Sequence, residues 1–346
     1  MRTRQLTWNV VRLAWVAALG VSLTSCGGGG DGGNGPQYID LTAANRDTVG
    51  HATAAGILAV SPTGLIPLTS SPAAAGRTWA QAVGQALRQP LGAEGATTRN
   101  GRERALALIG PVVQACMLGG TMSLSVDDRD NNGAPSVGDV LTIVYSNCRD
   151  TASETLNGTV AATYTQLVSS PVPLVSARLN MTQLSDVTPK HSLTLDGVVL
   201  FDYSQPTSST EHINMTSSGQ VVAAVTTHLF TDTVTLQNGF VVAESYDASV
   251  APPPGSTVPG RTASTASGSL ASAKAGGIVD VSIAAGTAMT KYSADDYPYS
   301  GVAQVKGRKG TLLLTALSAN SVRLDLDDND DGVFESTYTD RWDWLL

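Results

Sequence analysis

The chain has 346 residues, a formal net charge of −8 and only 14% charged residues. With no basic run and no interleaving of basic and aromatic residues, that balance argues against a nucleic-acid partner. Aromatic residues make up only 5% of the chain, whereas Ser, Thr, Gly and Ala are abundant; this predicts extended strands with small side chains, in one large domain or two small ones.

Arg2, Arg4 and Arg12 supply positive charge at the N-terminus, and Leu13–Leu23 is a short apolar run interrupted by Gly20 and Ser22. A membrane-spanning helix needs about 20 apolar residues, so the run is too short to be one and has the layout of an export signal. It closes on Leu23, Thr24, Ser25 and Cys26: an aliphatic residue, two small ones and a cysteine. This resembles the lipobox of bacterial lipoproteins, an ordinary secretory signal being the alternative. The resemblance implies a diacylglyceryl group on Cys26, removal of residues 1–25 and acylation of the new amino terminus, which together suffice for stable membrane anchoring. Gly27 rather than Asp after the cysteine implies, by similarity to enterobacterial sorting, the outer membrane. The removed segment holds three Arg and no acid, so cleavage takes the formal charge from −8 to −11. Residues 26–37 follow as a tether, in which Gly27–Gly35 (GGGGDGGNG) has no packing capacity.

Residues 38–118 form a predicted helical section. Thr42–Leu58 places Ala44, Val49, Ala52 and Ile57 near one face. Thr78–Gln89 spaces Trp79, Val83, Ala86 and Leu87 helically and stops at Pro90. A third helix is expected over Arg102–Met117, kinked or restarted at Pro111. Beyond Gly119 the period drops to two, and residues 119–346 read as an antiparallel β domain. Predicted strands are Thr121–Val126, Asp139–Tyr145, Thr159–Leu167, Ser176–Leu184, Ser192–Tyr203, Glu211–Met215, Val221–Phe230, Thr233–Leu236 and Phe240–Tyr246. They continue with Gly268–Ala273, Ile278–Ala284, Gly301–Lys306, Thr311–Leu317, Ser321–Asp327 and Val333–Trp342. Asn157-Gly158, Asp196-Gly197, Asn238-Gly239 and Gly307–Gly310 read as hairpin turns, and the Pro-rich Val250–Pro259 as a long surface loop. Gly158, Gly197, Gly239, Gly268 and Gly301 each open a strand-like run, an uneven echo of hairpin units. So many strands rarely stay flat and open. The expected fold class is therefore mainly β (α+β): a large antiparallel sheet, curved or barrel-like, with short N-terminal helices.

Besides Cys26 the chain has two cysteines, Cys116 and Cys148. An exported protein meets an oxidising compartment, where a lone pair defaults to a disulfide; two separate buried thiols are the alternative.

The most specific chemistry lies in Asp128–Asp139 (DRDNNGAPSVGD). Asp128, Asp130, Asn132, Ser136 and Asp139 occupy loop positions 1, 3, 5, 9 and 12, with Gly133 at position 6 and the Ala134 carbonyl at position 7. Calcium takes six to eight oxygens, and alternate residues of a tight loop can point theirs inward. The segment resembles the calcium loop of EF-hands and, with Asp last, that of dockerins. Pro135 departs from that pattern, and the flanks read as strands, so the resemblance implies the ion and its ligands but not a helix–loop–helix fold. A solvated turn is the alternative. A second loop sets Asp327, Asn329, Asp331, Gly332 and Glu335 at positions 1, 3, 5, 6 and 9. Tyr338 falls at position 12, and Asp325 or Asp340 is a candidate to complete the shell. Val322, Leu324 and Leu326 share one face, as do Phe334, Tyr338 and Trp342, so this loop reads as a hairpin tip. Calcium is the expected cofactor.

The four histidines, His51, His191, His212 and His228, form no zinc spacing, and there is no GxSxG elbow, phosphate loop or SxxK motif. No acid–base pair is marked out. Overall the chain resembles proteobacterial lipoproteins, on its lipobox, helical start and Cys–acidic loop–Cys segment. The expectation is a membrane-anchored envelope module, structural or binding and non-enzymatic, stabilised by calcium and a disulfide. Its membrane contact is the lipid, and the sequence names no other partner. A lipid or lipoprotein carrier with a pocket in a curved sheet, similar in outline to periplasmic lipoprotein chaperones, and a hydrolase with an unrecognised site are the alternatives.

Overall fold

The computed structural model describes residues 37–60, 111–132, 135–149, 152, 154–168, 172–189 and 191–345. The signal segment with Cys26, the glycine tether and the expected helix Thr78–Gln89 lie outside these residues.

Helix α1 spans Arg46–Val60. The strands that follow are β1 (Val112–Ala115), β2 (Thr121–Asp127), β3 (Val140–Cys148), β4 (Thr155–Val168), β5 (Leu174–Val187), β6 (His191–Ser204) and β7 (Thr210–Thr227). Next come β8 (Thr231–Leu236), β9 (Val241–Asp247), β10 (Arg261–Ser272), β11 (Gly277–Ile283) and β12 (Met289–Tyr292). The series ends with β13 (Gly301–Lys306), β14 (Thr311–Ser318), β15 (Ser321–Asp327), β16 (Ser336–Arg341) and a one-turn helix α2 (Trp342–Leu345). All sixteen strands belong to one antiparallel sheet, laid down in almost strict chain order from β1 to β16. The mainly β architecture expected from period-two patterning is therefore present.

Two strand positions are each filled by two segments. β8 and β9 both pair with β7 on one side and β10 on the other, and β11 and β12 both pair with β10. Each couple is one long strand with an interruption, at 237–240 and at 284–288. The loop 248–260, which holds the Pro-rich stretch, joins β9 to its partner β10 and does not divide the sheet; residues 36–346 form one unit.

These interruptions belong to a crease that crosses the long strands at one level. Asn157 Oδ1 accepts the backbone N–H of Asn147 at 2.7 Å, Asp196 Oδ1 that of Gln183 at 2.8 Å, and Asn238 Oδ1 that of Gly219 at 2.7 Å. All three donors have left-handed backbones, with φ of 48°, 47° and 91°. They sit where the pairing register of neighbouring strands shifts or breaks off. A bulge turns one residue out of the ladder and strands its N–H; an Asn or Asp side chain on the neighbouring strand, or for Asn238 in its interruption, receives it. The following glycine lets the strands approach. A Cβ on Gly158 would collide with the Gln183 carbonyl, and one on Gly197 would lie 2.8 Å from the Gln220 carbonyl, whereas Gly239 has open space. The expectation of hairpin turns is thus corrected at Asn157-Gly158 and Asp196-Gly197, which lie within strands; Asn238-Gly239 does form a turn, closed by the Phe240 N–H on the Gln237 carbonyl at 3.1 Å, but it joins two segments of one strand position rather than a hairpin. A bulge needs the same acceptor side chain and missing Cβ that a tight turn needs. Gly307–Gly310 does lie in a hairpin turn, between β13 and β14.

Other boundaries also differ. The two expected strands Glu211–Met215 and Val221–Phe230 are one strand, β7, carrying the Gly219 bulge. Of the expected helix Arg102–Met117, residues 102–110 lie outside the described set, and Val112–Ala115 is instead strand β1, paired with β2. Pro111 carries no N–H to extend a helix, and the adjacent valines favour a strand. β12 carries no alternating pattern long enough to read. The last strand starts at Ser336 rather than Val333 because residues 328–335 are committed to a loop.

Inward residues alternate along the strands from β3 to β15 and join α1 in a single core. Val49–Ile57 of α1 is buried on every side, the mark of a helix within a core rather than on its surface. Its small residues fit it between strands: a Cβ on Gly56 would lie 2.9 Å from Leu270 and 3.2 Å from Leu236. α1 touches β7, β8, β10 and β14. At its N-terminal end Arg46 bonds to Ser336 at 2.6 Å and lies over the Tyr338 ring of β16. His51 stacks on Phe230 at 4.6 Å and meets Trp344 of α2 at 4.8 Å. One helix reaching strands so far apart in sheet order requires the sheet to curl around it.

Candidate metal sites

The two acidic loops are the tips of the β2–β3 and β15–β16 hairpins. Counting alternating strand directions across the sheet puts them at opposite ends of the strands.

In the first loop, Asp128, Asp130 and Asp139 bring carboxylate oxygens within 4.8 Å of one another. Asp139 is fully buried. Its carboxylate accepts the backbone N–H groups of Arg129 at 2.9 Å and Ser136 at 2.8 Å, and the Ser136 hydroxyl at 3.0 Å. Ser136 Oγ also lies 2.8 Å from Asp130, so its one hydrogen is shared between the two carboxylates; Asn132 Nδ2 donates to Asp130 at 2.8 Å, while the Asn132 N–H points to Asp128 and Asp130. The Ser136 hydroxyl is the main influence holding the Asp130 carboxyl below the usual carboxylate range. Reciprocal backbone bonds between Asp139 or Gly138 and Tyr164 fasten the loop base to β4. All five side chains singled out from the sequence thus lie in one bonded cluster. Gly133 and Ala134 fall outside the described residues.

The second loop repeats the design. Asp327, Asp331 and Glu335 bring carboxylate oxygens within 4.8 Å of one another. Asp327, almost wholly buried, accepts the backbone N–H groups of Asn329 at 3.2 Å, Asp330 at 2.7 Å and Gly332 at 2.9 Å. Burial pushes its carboxyl up, but these N–H dipoles together outweigh it and hold the group below the ordinary range. Asn329 donates to Glu335 at 2.9 Å and accepts the Asp331 N–H at 2.8 Å. In both loops the residue at position 4 is left-handed, Asn131 at φ 56° and Asp330 at φ 64°. Asp330, which the ligand pattern does not mark, ties the loop to the neighbouring hairpin by accepting from Gly310 N–H at 2.9 Å and Thr311 Oγ1 at 3.2 Å.

Two of the suggested additions to the second shell are corrected. Asp325 is engaged by Arg323 and Thr337, and Asp340 by Tyr338 and the Arg341 N–H. Neither is among the carboxylates that converge at the tip, and the Tyr338 hydroxyl donates to Asp340 rather than to the loop. The donor sets are all oxygen, without His or Cys, which suits a hard cation such as calcium or magnesium and not zinc.

Cys116 and Cys148 form a disulfide. It follows the edge strand β1 and ends β3, so it fastens the β1–β2 hairpin to the sheet and by loop-closure entropy contributes about 3–4 kcal/mol.

The fold also brings together a histidine, a carboxylate and a hydroxyl that no motif announces. His191 Nε2 lies 3.8 Å from Asp186 Oδ2, and Nδ1 lies 3.0 Å from Thr188 Oγ1. The His191 and Asp186 side chains are 4% and 8% exposed, and Thr188 Oγ1 is also bonded to the His191 backbone. The group closes the β5–β6 hairpin and offers a substrate no access.

No protein-family model matches the chain, and no curated protein or solved structure is significantly similar to it.

Proposed function

We propose that this chain is a lipid-anchored protein of the bacterial cell envelope, a non-enzymatic structural or binding module whose β body is stabilised by calcium at two hairpin tips. The observation that carries the calcium reading is the convergence of Asp128, Asp130 and Asp139, and of Asp327, Asp331 and Glu335, each set around a buried aspartate. Calcium held there would neutralise carboxylates that otherwise repel one another. Asn132, Ser136 and Asn329 would add neutral oxygens to the two shells. The interior supports a module over a carrier, because α1 and the inward side chains fill it as one cluster. The anchor rests on Cys26 and its flanking residues: a lipid in the outer membrane, a glycine spacer, then the folded body in an oxidising compartment stapled by a disulfide.

A ligand that binds only the folded state raises its melting temperature. Thermal unfolding in millimolar calcium is expected to fall at a higher temperature than in chelator, by a margin that shrinks in Asp327→Asn and again in Asp327→Asn/Asp139→Asn. Identical transitions with calcium and chelator would remove the calcium reading. Mass spectrometry of the mature N-terminal peptide checks the anchor, the expected species being a triacylated Cys26 peptide. An unmodified Cys26 or cleavage elsewhere would overturn it.

A further inference from the structure

The outward face of the sheet carries a groove of about 580 Å³ beside the crease, within the roughly 300–1,000 Å³ range of small-molecule sites. Two rungs of cross-strand neighbours make its floor. One runs Asp202, Asn214, Ala243, Thr265 across β6, β7, β9 and β10; the next runs Ser204, His212, Ser245, Ala263. Leu174 of β5 lines one side, and Ala285 and Ala288 the other, where 284–288 leaves the ladder between β11 and β12. The groove is thus a product of the crease: the excursion that breaks the strand raises the wall, and the alanines keep the floor low.

Two of its polar groups, Asn214 Oδ1 and the Asp202 carboxylate, are unspent among the described residues. Asn214 Oδ1 is buried and accepts no hydrogen bond among the described residues, a state that disfavours the fold unless something donates to it. Asp202, its direct cross-strand neighbour, has no hydrogen bond or ion pair among the described residues. At that register the two side chains start about 5 Å apart, close enough for one donor group to reach both. Among the described residues no Lys or Arg lines the groove. Arg178, on the strand next to Asp202, points its guanidinium to Ser218 at 3.1 Å. Glu244, the other lining carboxylate, is 4% exposed and bonded to Ser264. A ligand therefore meets the Asp202 carboxylate over an alanine floor, with the unpaired Asn214 Oδ1 just beneath that surface.

We infer that this groove binds a small organic cation, its ammonium held between Asp202 and Asn214 Oδ1 and its apolar body lying on Ala243, Ala263, Ala285 and Ala288. The site is separate from the acidic loops and does not depend on their holding calcium. The test is calorimetric titration of the intact protein, calcium present, at physiological ionic strength, with cyclohexylmethylammonium and its neutral analogue cyclohexylmethanol. The ammonium is expected to bind and the alcohol to bind at least about tenfold more weakly, the ratio a single desolvated charge contact supplies. Asp202→Asn, isosteric and without a partner to lose, is expected to weaken the ammonium by a similar factor while leaving the melting temperature in place. Asn214→Leu is expected to weaken it too. Equal binding of the alcohol, ammonium binding that survives Asp202→Asn and so reports the acidic loops, or no binding would each overturn the assignment.

Discussion

A few side chains in this protein do work out of proportion to their number because each satisfies a backbone group that the fold would otherwise strand. Asp139 and Asp327 are the hubs of their loops: each is almost wholly buried and receives at least two N–H groups. A buried carboxylate is tolerable only where donors surround it, and a tight loop that points successive N–H groups inward supplies them. Asp196 plays the equivalent part in the crease, receiving the Gln183 N–H and the Gln183 side-chain amide. Asp196→Ala is expected to lower unfolding free energy by about 1–2 kcal/mol, the cost of leaving a bulge N–H unbonded. Urea titration measures it, and an unchanged midpoint would show that water serves the bulge equally well. The acidic clusters were readable in the sequence because spacing alone distinguishes their members. Asp330 was not, since its contribution is a bond to Gly310, twenty residues away in another hairpin.

At the level of elements, alternation was the reliable signal. Wherever one strand face is buried and the other is wet, as in β6 or β14, period two is imposed by the pleat and shows directly in the residues. It fails at three kinds of place. β7 reads as two strands because its bulge resets the alternation at Gly219. β12 is four residues long and continues β11 only in space. β1 is an edge strand exposed along its length, so it has no inward face to betray it. The Asn-Gly and Asp-Gly pairs illustrate the same limit. Their chemistry, a side-chain acceptor followed by a residue without Cβ, is legible, but whether it turns the chain or braces a bulge depends on which strand lies alongside.

For the whole molecule, the decisive relation is between α1 and the curled sheet. One face of the long sheet is apolar and has to be covered, and among the described residues α1 and the single turn of α2 are its only α-helices. Gly56→Val tests how closely the helix is seated. The added side chain would press on Leu270 and Leu236, and overpacking of this kind is expected to cost about 1–3 kcal/mol in urea unfolding; no loss would mean that the helix is free to shift. The sequence by itself determined the mainly β character, the two acidic hairpin tips with the side chains that cluster there, and the pairing of Cys116 with Cys148 once export is granted. Those features are local or compositional, written in spacing and period. Only the tertiary structure decided that the glycine dipeptides line up as a crease, that α1 is buried on all sides, and that Asp202 and Asn214 face one groove. Each of these depends on which strands become neighbours, and that is settled by burial of the whole inward face rather than by any segment alone.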